Sequence, residues 1–133
     1  MTRFAIDPPT LVRLAEGSAT VSARHQLVAP NSIRTLALDL LLKRVRSKEL
    51  SAEAALALHE RMTEMKIRLL GDRVSRRTAW RLAREHRWRT LQDAEYIAVA
   101  ILQADALITE DPGLASKAKG VVPLAKLSDL SVG

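Results

Sequence analysis

The chain of 133 residues contains no cysteine, which removes disulfides, thiolate zinc sites and cysteine nucleophiles together. Any metal it holds must be bound by oxygen or imidazole. Aromatics are scarce: Phe4, Trp80, Trp88 and Tyr96 are the full set. A stacking platform of the kind that reads single-stranded bases is therefore not expected, and phosphates should supply most of the affinity for any nucleic acid. No stretch approaches the roughly 18 uninterrupted apolar residues of a membrane span, and Met1 to Asp7 lacks the apolar region of a signal peptide. We accordingly expect a cytoplasmic protein without membrane association. There is no Gly-rich phosphate loop and no serine, histidine and acid arrangement, so P-loop and acyl-transfer chemistry have no support. His25, His59 and His86 show no metal-ligand spacing.

What the sequence does have is enough apolar content, 47%, to close one core, and a length that fits one domain over residues 1–133. Its formal net charge is +6, from 21 Lys plus Arg against 15 Asp plus Glu, a modest excess that favours contact with a polyanion.

Apolar periodicity divides the chain into alternating elements. Arg3 to Ile6 reads as a strand that stops at Asp7-Pro8-Pro9, after which Leu11, Val12, Leu14 and Ala15 recur at helical spacing until Gly17. Gln26 to Ala29 is a second extended piece, followed by a helix over Ile33 to Val45. Ser51 with Glu53 opens another helix, Ala54 to Met65, with Ala55, Leu56, Leu58 and Met62 available to pack. Ile67 to Leu70 is a third strand. Ser75 to His86 is an amphipathic helix with Ala79, Leu82, Ala83 and His86 on one face and Arg77, Arg81 and Arg84 on the other. Leu91 to Leu102 is apolar almost all round, as buried helices are. Ala106 to Thr109 is a strand, Asp111-Pro112 starts a helix, and Val121 to Leu124 is a last strand. This order predicts an α/β fold with a mostly parallel sheet of four to five short strands flanked by helices.

Three aspartates occupy comparable places in this order: Asp7 after the first strand, Asp93 at the start of the buried helix, and Asp111 after the strand Ala106 to Thr109. Sites in open parallel sheets form outside the carboxyl ends of strands, so the three side chains are candidates to converge. Clustered carboxylates repel one another unless a cation is present, and hard cations such as Mg²⁺ or Mn²⁺ take carboxylate oxygens and waters. The other reading of each is a helix cap: Asp7-Pro8 and Asp111-Pro112 are acceptable N-caps with proline following, and Thr90 with Asp93 matches a capping box.

Several segments together resemble the PIN-domain nucleases, and among them the VapC toxins of bacterial toxin-antitoxin pairs. These are Phe4-Ala5-Ile6-Asp7 with Leu11, Asp93-Ala94-Glu95-Tyr96-Ile97-Ala98-Val99-Ala100, Ala106-Leu107-Ile108-Thr109-Glu110-Asp111, and the connection Arg44-Val45-Arg46-Ser47-Lys48-Glu49-Leu50-Ser51. The likeness covers nearly the whole chain. It implies a single PIN-like domain and a Mg²⁺- or Mn²⁺-dependent endoribonuclease, often a homodimer, inhibited by a cognate antitoxin protein whose segment crosses the active site. By position it makes Asp7, Asp93 and Asp111 metal-binding, catalytic carboxylates and Thr109 a supporting hydroxyl.

Two positions depart from the family pattern. Leu36 falls where the second helix usually has a glutamate; Asp39, one turn later, is either its substitute as a metal ligand or an exposed partner of Lys43. Pro9 stands where a small hydroxyl is frequent, with Thr10 beside it. A catalytically weak or silent module that binds RNA or a protein partner is the alternative these departures leave open. Arg77, Arg81 and Arg84 are the candidate RNA-binding residues, although a run of charge is equally a solvated helix face.

Overall fold

The computed structural model describes residues 1–133. Five strands, β1 (Thr2–Ile6), β2 (His25–Pro30), β3 (Ile67–Leu70), β4 (Ala106–Ile108) and β5 (Leu124–Ala125), form one sheet in the order β3-β2-β1-β4-β5 with every pair parallel. Six helices flank it: α1 (Pro8–Ala15), α2 (Ile33–Arg46), α3 (Ala52–Glu64), α4 (Arg73–His86), α5 (Gln92–Gln103) and α6 (Pro112–Ala118). A 3-10 turn, Leu127–Ser131, closes the chain. The architecture is the helix-covered parallel α/β sheet expected from the alternation of elements. No helix is long and apolar enough to cross a membrane.

The central strands β1 and β4 are buried on both faces, as parallel sheets require, and α5 lies across them with Ala94, Tyr96, Ile97, Ala98, Val99 and Ala100 all buried. Helix α1 ends where Gly17 takes a left-handed conformation, φ +84°, which a residue without Cβ adopts freely. Arg34 donates to the carbonyls of Met62 and Met65 at 3.1 and 2.8 Å, satisfying the open end of α3.

Several boundaries differ from expectation for identifiable reasons. Helix α4 begins at Arg73 rather than Ser75, because Asp72 caps it by accepting from the Ser75 amide at 2.9 Å. That contact also holds the Asp72 carboxyl below its ordinary value. No capping box forms at Thr90 and Asp93: α5 is entered through Leu91, without a side-chain cap. The last strand is Leu124–Ala125 instead of Val121 to Leu124, since the amides of Val121 and Val122 both return to the Ala118 carbonyl. Leu56 and His86, both assigned to packed faces, are exposed.

Ile97 is fully buried on the helix that spans the central strands. Ile97→Ala should cost about 2–5 kcal/mol in urea unfolding, the usual price of a core cavity, whereas Leu56→Ala, at a residue 59% exposed, should stay within about 0.5 kcal/mol. Equal losses from the two would refute this account of the core.

Candidate functional site

The strand order reverses between β1 and β4: the chain builds outward through β2 and β3, then returns to the other side of β1. Such a switch point opens a crevice at the carboxyl ends of the two strands. Register fixes what meets there. Ile6 pairs with Ile108, so the next residues, Asp7 and Thr109, stand side by side although 102 positions apart in sequence. The Thr109 hydroxyl donates to Asp7 Oδ2 at 2.5 Å and itself accepts the Asp111 amide at 3.0 Å.

Asp7 is 1% exposed and its other oxygen is equally engaged. Oδ1 accepts the Thr10 amide at 3.1 Å and the Thr10 hydroxyl at 2.5 Å, with the Ile108 carbonyl at 3.2 Å as that hydroxyl's other acceptor. Asp7 is thus the N-cap of α1 as well as the floor of the crevice. Burial pushes its carboxyl above the ordinary value of 3.8, while the Thr10 and Thr109 hydroxyls and the Thr10 amide pull it down. The hydroxyl that Pro9 cannot supply is present one residue later, on Thr10.

A cavity of about 300 Å³ opens above Asp7. Asp7, Asp39, Asp93 and Asp111 all line it, from the starts of α1, α5 and α6 and from the middle of α2. Its apolar wall includes Leu36, Leu40 and Leu114, and Lys43 is its one basic lining residue. Leu36 therefore borders the cavity at the place where the resemblance leads one to look for an acid. Asp39 is exposed at the rim and forms no ion pair with Lys43.

The four carboxylates share the cavity without forming a cage: no three of the chain's Asp, Glu and His side chains gather closely enough to hold one ion. Three of the four have another engagement, Asp7 with the threonine hydroxyls already described. Asp111 Oδ1 accepts the Gly113 amide at 3.2 Å and caps α6, and Asp93 Oδ2 accepts from Lys117 Nζ at 2.8 Å. Mg²⁺ is commonly held by one or two carboxylates with waters and ligand phosphates rather than by an all-protein cage. The all-oxygen set here fits that looser mode.

Tyr96, one turn after Asp93 on α5, also lines the cavity and is 2% exposed. Its hydroxyl has no hydrogen-bond partner of ordinary geometry, though the Ser32 hydroxyl is near enough to ease its ionisation. Burial first, and the Asp7 charge second, push the phenol well above its ordinary value of 10.0. The arginines of α4 lie elsewhere. Arg77 and Arg81 border a separate surface hollow with Val74, Thr78 and Trp80, Arg84 is exposed on the same helix, and Arg81 donates to Glu85 at 3.3 Å. Trp80, on the same helix, is 59% exposed.

Among solved structures, the chain is similar to the crystal structure of PAE2754 from Pyrobaculum aerophilum, with a TM-score of 0.75 and 26% sequence identity, over 98% of this chain and 93% of that one. No protein-family model matches the sequence, and no curated protein matches it. The likeness concerns architecture over nearly the full length of both chains and carries no activity with it.

Tyr96, which lines the cavity, and Lys117, which pairs with Asp93, were not singled out from sequence as site residues, and neither was the contact of Thr10 with Asp7. Thr10 had a signal, its i+3 spacing from a capping aspartate; Lys117, 24 residues from its partner, had none.

The raised Asp7 carboxyl makes a pH prediction. The native state holds this proton to higher pH than the unfolded chain does, so the contribution of Asp7 to stability is greatest below 3.8 and is lost as pH rises through the native value. Asp7→Asn, which can still accept from Thr10 and donate to Thr109, should be more stable than the parent at neutral pH. Its advantage in urea midpoint should grow across that window. An Asn variant no more stable than the parent at neutral pH would show that the hydroxyl contacts outweigh burial.

Proposed function

We propose that this chain is a divalent-cation-dependent ribonuclease of the PIN type, with Asp7, Asp93 and Asp111 as the carboxylates that bind Mg²⁺ or Mn²⁺ and Asp39 at the rim as a further donor. One observation carries the reading: aspartates from four separate elements border a single cavity at the switch point of a parallel sheet. A cation bound in that cavity would offset the desolvation of the buried Asp7 carboxylate. The resemblance to PIN-domain nucleases, read from Phe4–Asp7, Asp93–Ala100 and Ala106–Asp111, adds the reaction.

The residues divide the work in a way that follows from their contacts. Thr10 and Thr109 clamp both oxygens of Asp7, fixing the buried carboxylate in one orientation, as an efficient site requires. Leu36, Leu40 and Leu114 line the cavity with apolar surface, which strengthens electrostatic interactions within it. Lys43 places a positive charge where a phosphate could approach. The bound ion would stabilise the negative charge that builds up during in-line phosphodiester hydrolysis. Arg77, Arg81 and Arg84, outside the cavity, would hold more distant phosphates and speed encounter with RNA. Such an enzyme would act in the cytoplasm and be restrained by a cognate antitoxin.

A second reading, a catalytically silent module that binds RNA or a protein, is favoured by Leu36 at the cavity wall and by the Lys117–Asp93 pair. Activity against RNA separates the two. On the first reading, Mg²⁺ or Mn²⁺ supports cleavage that chelation stops, and Asp7→Asn, Asp93→Asn and Asp111→Asn each lower the rate by about 100-fold or more, with circular dichroism unchanged. Full cleavage by the triple variant would remove the nuclease site; RNA binding without cleavage by the parent would establish the second reading.

The homodimer of the same reading has a candidate surface in the apolar groove between α2 and α3, where Leu38, Leu42, Val45 and Leu56 meet and Leu42 and Leu56 stay 44% and 59% exposed. Light scattering should find a dimer in the parent and a monomer in Leu42→Glu/Leu56→Glu. A monomeric parent would exclude it.

A further inference from the structure

Asp93 is the one cavity carboxylate that is paired with a cation of the chain itself. Lys117, on α6, reaches across to α5 and puts Nζ 2.8 Å from Asp93 Oδ2, with each side chain about one-third exposed, 32% and 29%. The lysine is held from a second side. Its ammonium lies 5.8 Å from the centroid of the Trp88 ring, within range of a cation–π attraction. Trp88 in turn stacks on His86 with centroids 4.8 Å apart. Asp93 thus has a tethered ammonium where Asp7 has hydroxyls and Asp111 a backbone amide.

We propose that Lys117 is the resident counter-ion of Asp93: it occupies this carboxylate while no divalent ion is bound and must release it before a cation can use it. The inference rests on the metal-site reading above and adds to it a residue that sets the site's affinity. The physical basis is competition of like charges for one anion. An ammonium at contact distance repels an incoming divalent ion and offers the same carboxylate a partner that need not be stripped of bulk water. The Trp88 face gives the displaced ammonium somewhere to remain, so release need not expose an unpaired charge.

Mn²⁺ binding to the purified protein, measured by titration calorimetry and by the ion's electron paramagnetic resonance signal, tests this without reference to RNA cleavage. Lys117→Met keeps an apolar stem against Trp88 and removes the charge. It should bind Mn²⁺ about threefold to tenfold more tightly than the parent, as loss of one partly screened charge near a divalent ion implies. Lys117→Arg should bind no more tightly than the parent. In an Asp93→Asn background the Lys117→Met gain should vanish, and that outcome distinguishes displacement from Asp93 from a general change in cavity charge. Tight binding by Lys117→Met with none by the parent supports the proposal in its strongest form. Binding by the parent that Lys117→Met leaves equal or weakens overturns the role of Lys117 alone. The same holds if the gain persists without Asp93. No Mn²⁺ binding by either protein removes the metal-site reading as well. Thermal unfolding of each variant confirms that the fold has survived.

Discussion

The parallel pairing of β1 with β4, Ile6 opposite Ile108, fixes the position of the polar groups at the centre of the cavity. A shift of one residue would turn Asp7 and Thr109 to opposite faces, since side chains alternate along a strand. Register is set by burial: Phe4, Ala5 and Ile6 lie against Ala106, Leu107 and Ile108 with almost no solvent exposure. The apolar core therefore does the placing. The polar residues that follow each strand inherit their neighbourhood from it, which is why a hydrogen bond can join Thr109 to Asp7 across 102 residues.

The consequence for Asp7 is a balance between desolvation and hydrogen bonding. Two hydroxyls and an amide surround the carboxylate, more partners than a helix cap needs, yet its proton affinity is still raised. Burial outweighs the donors. A group in that state gains from any further positive charge brought near it. Tyr96 shows the complementary situation: a buried hydroxyl whose desolvation the nearby Ser32 hydroxyl offsets only in part. Two such groups bordering one cavity are hard to explain as packing, because an apolar wall would be cheaper.

The order of elements and the sites of the aspartates were legible in the sequence because both depend on local pattern. Apolar alternation and turn residues mark strands and helices, and an Asp-Pro after a strand marks a helix start. Legibility failed where the deciding partner lay far along the chain or where two local signals competed. Asp72 and Ser75 have the spacing of an N-cap, but the apolar periodicity that marked this helix begins only after them. Thr90 and Asp93 had the spacing of a capping box, but Lys117 holds Asp93 instead. Val121 and Val122 had strand composition, yet tertiary context drew their amides back to Ala118. Asp39, the single acid on α2, is exposed as one of its two readings required, and the packing of α2 brings it to the cavity rim.

Electrostatics connects these parts. Four carboxylates and one lysine line the cavity, and a second lysine is paired with one of the carboxylates, so with all six ionised the local charge is negative inside a protein whose net charge is +6. On the ribonuclease reading, the exposed arginines of α4 would attract a polyanion that the cavity itself repels. A phosphate can enter only if positive charge arrives with it or before it. A hard divalent ion meets that requirement and suits an all-oxygen set of donors; a lysine- or arginine-bearing segment of a protein partner meets the charge requirement but does not need carboxylates from four elements around one small volume.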